Sequence, residues 1–407
     1  MTKTATVSLQ EIDLRARSEG IDEPDAGEKL PPELTPGRIK ATPWSWQDPA
    51  KIPPRRWLYG VHRLRQFVSV TFAPGGMGKT SLLLTEALAQ VTGRPLLGEI
   101  VHERAKVWMW NGEDPMEEIH RRIAAACIAH DIRANEIEGR LFIDSGRDMP
   151  MIVVRKVRDD LLIAEPVVEA IIEQIEQNRV DTLIIDPFVL SHSVPENDNT
   201  AIDRVVRQWA RIADITGCAI ELVHHVRKGS IGQSEFTVED GRGAVALLAA
   251  ARSARVLNRM SKEEGETAEV ENHRQFFRID NGKANLAPPA DKTKWHRIES
   301  VALPNGDNVG AVVAWKWPDP LAGLTVNNLI DVQKAVDGKQ LRRSSQAADW
   351  IGYAIAKVAG LNAEKDKARI NAMVGLWIKS GALRVATVKD EKGKERPILE
   401  VGTWADS

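Results

Sequence analysis

The chain has 407 residues, of which 43% are hydrophobic, so it can form two or three domains of about 150 residues each. No run reaches the roughly 18 apolar residues of a membrane span, and the N-terminus lacks the apolar core of a signal peptide. The formal net charge of −2 argues against a uniformly basic nucleic-acid-binding protein, so we look for local basic surfaces. The only cysteines are Cys127 and Cys218, and their separate apolar segments favour buried thiols and a cytoplasmic location.

The N-terminal part of the chain is polar and rich in proline. We predict that residues 1–43 form a disordered tail, because 1–30 carries seven acidic against four basic side chains and few apolar ones. Residues 44–66 contain Trp44, Trp46 and a Pro-Pro pair, which favours an extended arm. The aromatic side chains of this arm pack either on the chain's own core or on a neighbouring subunit, and the sequence leaves both interpretations open.

Between residues 67 and 320, strand-like runs alternate with amphipathic helical runs, which predicts βαβ units and a mostly parallel sheet. The expected strands lie at 69–72, 106–110, 141–143, 182–185, 219–224, 254–259 and 276–280. The expected helices lie at 117–130, 166–178 and 202–215. The fold class is therefore α/β, and ligands are expected at the carboxyl ends of the parallel strands.

The first expected strand leads into APGGMGKT at 73–80, which has the spacing of a P-loop with Ala73 in the place of the first glycine. Its glycines let successive backbone N–H groups point at a phosphate, and the following helix adds its positive dipole end. We predict that Lys79 reaches the β- and γ-phosphates of ATP and that Thr80 holds Mg²⁺. The nucleotide-binding residues are expected to be Gly75, Gly76, Met77, Gly78, Lys79, Thr80 and Ser81.

Two later strand ends carry carboxylates. The stretch WMWNGEDP at 108–115 places Glu113 where a base can orient and deprotonate the attacking water. Asp114 and Pro115 also look like the N-cap and first residue of a helix, and both interpretations can hold together. The apolar strand ending in Asp186 has the Walker-B pattern, in which the carboxylate holds Mg²⁺ directly or through a water.

A third strand end, LVHHVRKG at 222–229, contains paired histidines. Adjacent residues of a strand point to opposite faces, so the pair is unsuited to binding one zinc ion. We expect His225 to contact the γ-phosphate as a polar sensor, with His224 facing the other way.

Together, APGGMGKT, NGEDP, LIIDP, LVHHVRKG, the GRG at 241–243 and the NGKAN at 281–285 resemble the RepA-like ATPases of the RecA superfamily. These are P-loop ATPases of the AAA_25 type found in phages, plasmids and mobile elements, and their namesake is a hexameric replicative helicase. The similarity covers residues 57–298. It implies a RecA-like P-loop core that assembles as a ring with ATP between subunits.

The resemblance also assigns residues that act across subunits. Arg252, ten residues after Arg242, takes the position of a trans-acting arginine finger, with Arg255 as the nearest competitor and a surface ion pair as the alternative. In RecA-type proteins the loop after the sensor strand contacts DNA in the pore, which here points to Arg227 and Lys228. The other expected pore loop, 191–200, contains no Lys or Arg, although phosphate contacts need cations.

The C-terminal residues 321–407 form a different, basic region with fourteen basic and ten acidic side chains. Expected helices at 345–359 and 365–379 precede a hairpin of 381–388 and 398–401, an order that resembles a winged helix. The second helix would place its cations in a DNA groove and the wing would contact the backbone. The candidates are Lys365, Lys367, Arg369, Lys392, Lys394 and Arg396. A protein-binding module and a solvated run of charges are the alternatives.

The leading hypothesis is thus a ring-forming, ATP-hydrolysing DNA motor of a mobile element. Its expected partners are further copies of itself in a hexamer, single-stranded DNA in the pore and a replication-initiation protein. An ATP-gated DNA-binding or loader protein that oligomerises without unwinding is the first alternative. A regulatory ATPase whose C-terminal module binds protein is the second.

Overall fold

The computed structural model describes residues 41–158, 160–226, 235–241, 243–288, 293–389 and 395–406. The chain divides into two units, Met1–Pro54 and Arg55–Ser407. In the described part of the first unit, the rings of Trp44 and Trp46 meet edge to face with their centroids 5.9 Å apart. A single 3₁₀ turn follows at Pro49–Lys51, and the side chain of Asp48 accepts a hydrogen bond from its backbone.

A nine-stranded sheet forms the centre of the described second unit. In spatial order its strands are β14 (Asn308–Trp315), β13 (Lys294–Ala302), β12 (Phe276–Ala284), β11 (Ser253–Arg259), β3 (Val68–Ala73), β10 (Ala219–His225), β8 (Thr182–Asp186), β4 (Val107–Asn111) and β5 (Leu141–Ser145). The strands from β11 to β5 are parallel, and β12, β13 and β14 continue the sheet in antiparallel fashion. This mixed α/β arrangement with a mostly parallel sheet fits a P-loop NTPase core.

Helices cover both faces of the sheet, which explains why β3, β4 and β8 are buried along their whole length. The helices are α1 (Lys79–Thr92), α2 (Met116–Ala129), α3 (Ala134–Ile137), α4 (Glu165–Asn178), α5 (Asn199–Thr216), α6 (Ala244–Ala250) and α7 (Lys262–Thr267). One hydrophobic cluster joins the sheet to α4, α5 and α6, and another joins it to α1 and α2. Every strand expected from the sequence has a counterpart in this sheet.

Several short strands were not expected. The pair β1 (Trp57–Tyr59) and β2 (Arg63–Leu64) lies inside the segment predicted as an extended arm, and Leu58 and Tyr59 are buried in the core. A small sheet contains β6 (Val154–Val157), β7 (Asp160–Ile163) and β9 (His192–Ser193). These segments are too short for hydrophobic periodicity to reveal them.

The C-terminal region has a hydrophobic cluster of its own. Its elements are α8 (Val326–Val336), α9 (Ile351–Ala359), α10 (Lys367–Lys379), β15 (Leu383–Lys389) and β16 (Glu395–Val401). The last two strands pair in antiparallel fashion, and Leu341 forms an isolated bridge with Leu399. None of the helices in the described ranges is long and apolar enough to cross a bilayer.

A cluster of charged side chains is buried between α1 and the central strands. Glu86 of α1 receives hydrogen bonds from Arg255 of β11, at 2.7 Å to each of its oxygens, and from Arg63 of β2 at 2.6 Å. Glu221 of β10 accepts from Ser69 at 2.6 Å and lies 2.8 Å from His62. Burial raises the pKa of Glu86, but Arg255 and Arg63 outweigh this effect and hold the pKa below its ordinary value.

We expect Arg255→Met to lower the free energy of unfolding by about 3–5 kcal/mol, because it leaves a buried carboxylate short of positive charge. Chemical denaturation of the purified variant measures this loss. Arg384→Met is the matched control, since Arg384 pairs with Glu400 on the surface at 3.1 Å and such pairs contribute at most about 1 kcal/mol. Equal stabilities for the two variants would contradict the expected role of the cluster.

Candidate nucleotide-binding site

The P-loop joins the end of β3 to the start of α1. Gly76 and Gly78 adopt φ values of 70° and 76°, which only glycine adopts without strain. A Cβ on Gly78 would also lie 2.7 Å from Cδ1 of Ile298, whereas Gly75 and Gly76 face open space. Met77 is buried in a cluster with Leu82 and Leu257, among others. The loop is therefore anchored on one side and open on the other, as a phosphate cradle requires.

The first turn of α1 presents the residues expected to bind the nucleotide. Gly78 is the N-cap and has no side chain to offer, so the first backbone N–H groups of the helix are left for a ligand. Lys79, Thr80 and Ser81 are all buried at this turn. The helix begins where the sequence predicted it, directly after the last glycine.

Thr80 and Asp186 meet at the carboxyl ends of β3 and β8. The Thr80 hydroxyl donates a hydrogen bond of 2.6 Å to Oδ2 of Asp186, and Oδ1 is buried without a hydrogen-bond partner among the described residues. A buried carboxylate oxygen beside a threonine hydroxyl fits Mg²⁺, which prefers oxygen ligands. Burial raises the pKa of Asp186 to about 6, although Lys79 and Thr80 oppose the shift.

His225 and Glu113 complete the group on the phosphate side. Nε2 of His225 lies 3.2 Å from Nζ of Lys79 and 4.0 Å from Oε1 of Glu113. The Glu113 side chain is 50% exposed, so water can reach it. His224 lies instead on the buried face, where its ring contacts those of Phe72 and Phe188. The alternation along β10 thus selects His225 as the histidine at the site.

The loop that carries Glu113 depends on Asn111, which the sequence analysis missed. Oδ1 of Asn111 accepts hydrogen bonds from the backbone of Glu113 at 3.0 Å and of Asp114 at 2.8 Å. The predicted N-cap role of Asp114 is wrong. This turn carries the chain one residue further, so Pro115 is the N-cap of α2, and Asp114 lies 3.4 Å from Arg122. An Asn two residues before Glu113 is the sequence feature that could have indicated this turn, because Asn side chains often accept hydrogen bonds from the backbone two residues later.

Arg259 is a second residue that the sequence did not reveal. It stands at the carboxyl end of β11 and donates a hydrogen bond of 2.9 Å to the carbonyl oxygen of Gly76. Arg255, Leu257 and Arg259 alternate along β11 and therefore share the face that contacts α1 and the P-loop. Only the pairing of β11 with β3 brings these residues to the loop.

Arg252 lies at the amino ends of the parallel strands, opposite the P-loop, which follows the carboxyl end of β3. It precedes β11, its backbone N–H donates to Val68 at the start of β3, and its guanidinium lies 5.8 Å from the centre of the Phe67 ring. The length of β3, about 20 Å for six residues, separates it from the P-loop of its own chain. Arg252 is exposed. Its competitor Arg255 is buried against Glu86 and cannot reach a neighbour.

The predicted DNA contacts fall into three groups. Lys365, Lys367 and Arg396 lie on partly or fully exposed surface of the C-terminal region. Arg369 is instead held within the chain, since its guanidinium donates to the carbonyl oxygens of Pro320 and Ala322 and its backbone N–H donates to Glu269. The remaining candidates lie outside the described residues; they are Arg227, Lys228, Lys392 and Lys394.

Asp186→Asn is expected to stabilise the nucleotide-free protein. The folded pKa of about 6 exceeds the ordinary 3.8, so the wild type loses up to about 3 kcal/mol as the pH rises through this window and the buried carboxylate ionises. The variant avoids that loss, so at pH 7 it should be more stable by about 1–3 kcal/mol, a difference that disappears toward pH 3. Urea denaturation with a chelator present measures the free energy of unfolding of both proteins at pH 7 and at pH 3.

Asp203→Asn serves as the control, because Asp203 lies at the surface of α5 beside Arg207 and should contribute less than about 1 kcal/mol. A lower stability of Asp186→Asn at pH 7 would contradict the inferred cost of the buried carboxylate.

Comparison with known protein families agrees with this geometry. Residues 33–230 match the model of an AAA domain, the family AAA_25. The matched segment contains the P-loop and the strands that end in Asn111, Asp186 and His225. It supports a nucleotide-hydrolysing P-loop ATPase, for which Mg²⁺ is the usual companion of the nucleotide.

Proposed function

We propose that this protein is a ring-forming, ATP-hydrolysing DNA motor of the RepA-like type that acts in the replication of a mobile element. One observation carries the proposal. The groups that bind and hydrolyse a nucleotide converge at one edge of the sheet, whereas the exposed Arg252 lies at the opposite edge, beyond reach of its own site. An arginine so placed does not reach its own site, which supports a role at the site of a neighbouring subunit.

Each site residue is assigned its own role in hydrolysis. The P-loop N–H groups and Lys79 bind the phosphates, and Thr80 and Asp186 are placed to hold Mg²⁺. When bound, Mg²⁺ neutralises charge on the β- and γ-phosphates. Glu113 orients the attacking water and takes its proton, while His225, within 3.2 Å of the Lys79 ammonium, contacts the γ-phosphate. Arg252 of a neighbour stabilises charge on the transferring phosphoryl group.

The C-terminal region is proposed to be a winged helix that contacts DNA. The order α8, the bridge at Leu341, α9, α10 and the hairpin of β15 and β16 supports this interpretation. Lys365 and Lys367 stand at the start of α10, the helix that would approach the groove. Arg369 has a different use, since it joins α10 to the segment that leads out of the ATPase core.

A second candidate function is an ATP-gated DNA-binding or loader protein that oligomerises without unwinding. The absence of Lys and Arg from 191–200 favours it, because a motor that grips DNA in a pore needs cations there. Unwinding of a labelled forked duplex separates the two functions. The motor displaces the strand with ATP, whereas a loader hydrolyses ATP in the presence of DNA and displaces nothing.

Mixing two inactive variants tests the trans role of Arg252. We expect Arg252→Ala and Glu113→Ala each to lose ATPase activity by about 10³-fold or more. Mixed rings should regain part of it, because a Glu113→Ala subunit supplies Arg252 to a neighbour that retains Glu113. Steady-state phosphate release measures the rescue.

The double variant Glu113→Ala/Arg252→Ala is the control for this mixture. Mixed with Arg252→Ala it can supply no arginine, so no rescue is expected. Rings that assemble from the complementary pair yet stay inactive would exclude Arg252 as the trans-acting arginine.

A further inference from the structure

The loop after β8 has a neighbour that the sequence did not predict. This loop passes through a 3₁₀ turn and β9, where His192 and Ser193 pair with Val154 and Arg155 of β6. The backbone N–H of Val153 also donates to the carbonyl oxygen of Ser191 at 2.9 Å. The hairpin of β6 and β7 is therefore fixed beside the segment 191–200, which has no cation of its own.

The hairpin lies near the carboxyl ends of the parallel strands, where the nucleotide site is. Its leading segment is tied to β4 by Trp110, whose Nε1 donates to the carbonyl oxygen of Met149 at 2.7 Å. It is tied to the end of β8 through Ser191, five residues after Asp186. A ligand on the hairpin would thus lie at the same carboxyl end of the parallel strands as the phosphate site.

Three basic side chains of the hairpin are exposed to solvent and are not engaged by other described residues. They are Arg155, Lys156 and Arg158, and none of them makes an ion pair or side-chain hydrogen bond within the part of the chain that the structure describes. Arg158 occupies the turn with a φ of 56°. The carboxylate of Asp198 in the adjacent loop is occupied in capping α5, where it accepts from Thr200 and Ala201.

The two faces of the hairpin differ in character. Val154 is buried in the main core, and Leu161 and Ile163 pack against that core. The opposite face carries Arg155 together with Val157, which is 50% exposed, and Leu162, which is 57% exposed. The carboxylate of Asp160, paired with Val157, lies on the same outer face, whereas Lys156 pairs with Leu161 and is nevertheless exposed. A firmly seated base with exposed cations and apolar groups suits a ligand that combines phosphates with flat, less polar groups.

We propose that β6 and β7, together with Arg158, bind the phosphate backbone of single-stranded DNA, with Arg155, Lys156 and Arg158 supplying the cations that the loop 191–200 lacks. Asp159 lies outside the described residues and is not part of this surface. This inference rests on the proposed function and deepens it, because it names the surface at the nucleotide edge that grips the strand. Val157 and Leu162 provide apolar contact area for sugars and bases beside the phosphate contacts.

The test compares binding of labelled oligothymidylate by the full chain and by the variant Arg155→Gln/Lys156→Gln/Arg158→Asn. Asn is chosen at 158 because it tolerates the positive φ. We expect affinity to fall by about tenfold or more, and the slope of log K against log salt to shrink by about 2 units, since each single-strand phosphate contact contributes about 0.7. The charge-conserving variant Arg155→Lys/Lys156→Arg/Arg158→Lys should keep wild-type binding.

A matched control removes three cations near the amino ends of the parallel strands, away from the hairpin. In Arg133→Gln/Arg140→Gln/Arg179→Asn the changes lie in connections that lead back to β5 and β8, and Arg179 also has a positive φ of 54°. Net charge falls equally, so unchanged DNA binding by this variant shows that position rather than total charge matters. Thermal unfolding checks that both variants fold, and Lys156→Glu repeats the test should the hairpin variant fail to fold.

The outcomes separate this inference from the function on which it rests. If the wild type binds oligothymidylate and the hairpin variant binds it equally well, the inference is wrong and the proposed motor stands. If the wild type binds no oligothymidylate even at low salt, both are overturned. Loss of binding to phosphatidylglycerol vesicles with DNA binding intact would assign the surface to a membrane and likewise overturn the inference.

Discussion

The buried charges around Glu86 fix the relative positions of the elements that build the nucleotide site. Taking each ion out of water costs several kcal/mol, which only close pairing and complete hydrogen bonding offset. Glu86 meets Arg63 and Arg255 from two different strands, and Glu221 meets His62 and Ser69. A shift of one residue in any of these strands would turn its charged side chain to the other face. The cluster therefore selects one register for α1 and for the strands beside it.

This register also joins the P-loop to the end of the sheet that carries Arg252. On β11, Arg255 holds α1 and Arg259 holds the carbonyl of Gly76, while Arg252 precedes the same strand. The P-loop and Arg252 are consequently connected through β11 and its contacts with α1. On the other flank, β8 ends in Asp186, and the chain continues to β9, which pairs with β6 of the basic hairpin. The sheet that carries Asp186 therefore also positions the hairpin.

Local sequence patterns were sufficient wherever chemistry depends on neighbours in the chain. The P-loop glycines, the apolar strand before Asp186 and the alternation that separates His224 from His225 each act within a few residues, and the structure places all of them at one sheet edge. The N-cap of α2 was misplaced by one residue: it is Pro115, and the backbone of Glu113 and Asp114 before it donates hydrogen bonds to Oδ1 of Asn111. The short strands β6, β7 and β9 were missed, since too few residues carry their pattern.

The sequence by itself determined the α/β class, the nucleotide site and the basic character of the C-terminal region, because periodicity, glycine placement and charge are properties of the chain. Only the tertiary structure removed Arg255 from the candidates for a trans-acting arginine, because it buries Arg255 against Glu86 of α1 and leaves Arg252 exposed. It alone diverted Arg369 to the carbonyls of Pro320 and Ala322 and brought Arg155 beside Ser193. These outcomes depend on pairings between residues distant in the chain, which no local pattern encodes.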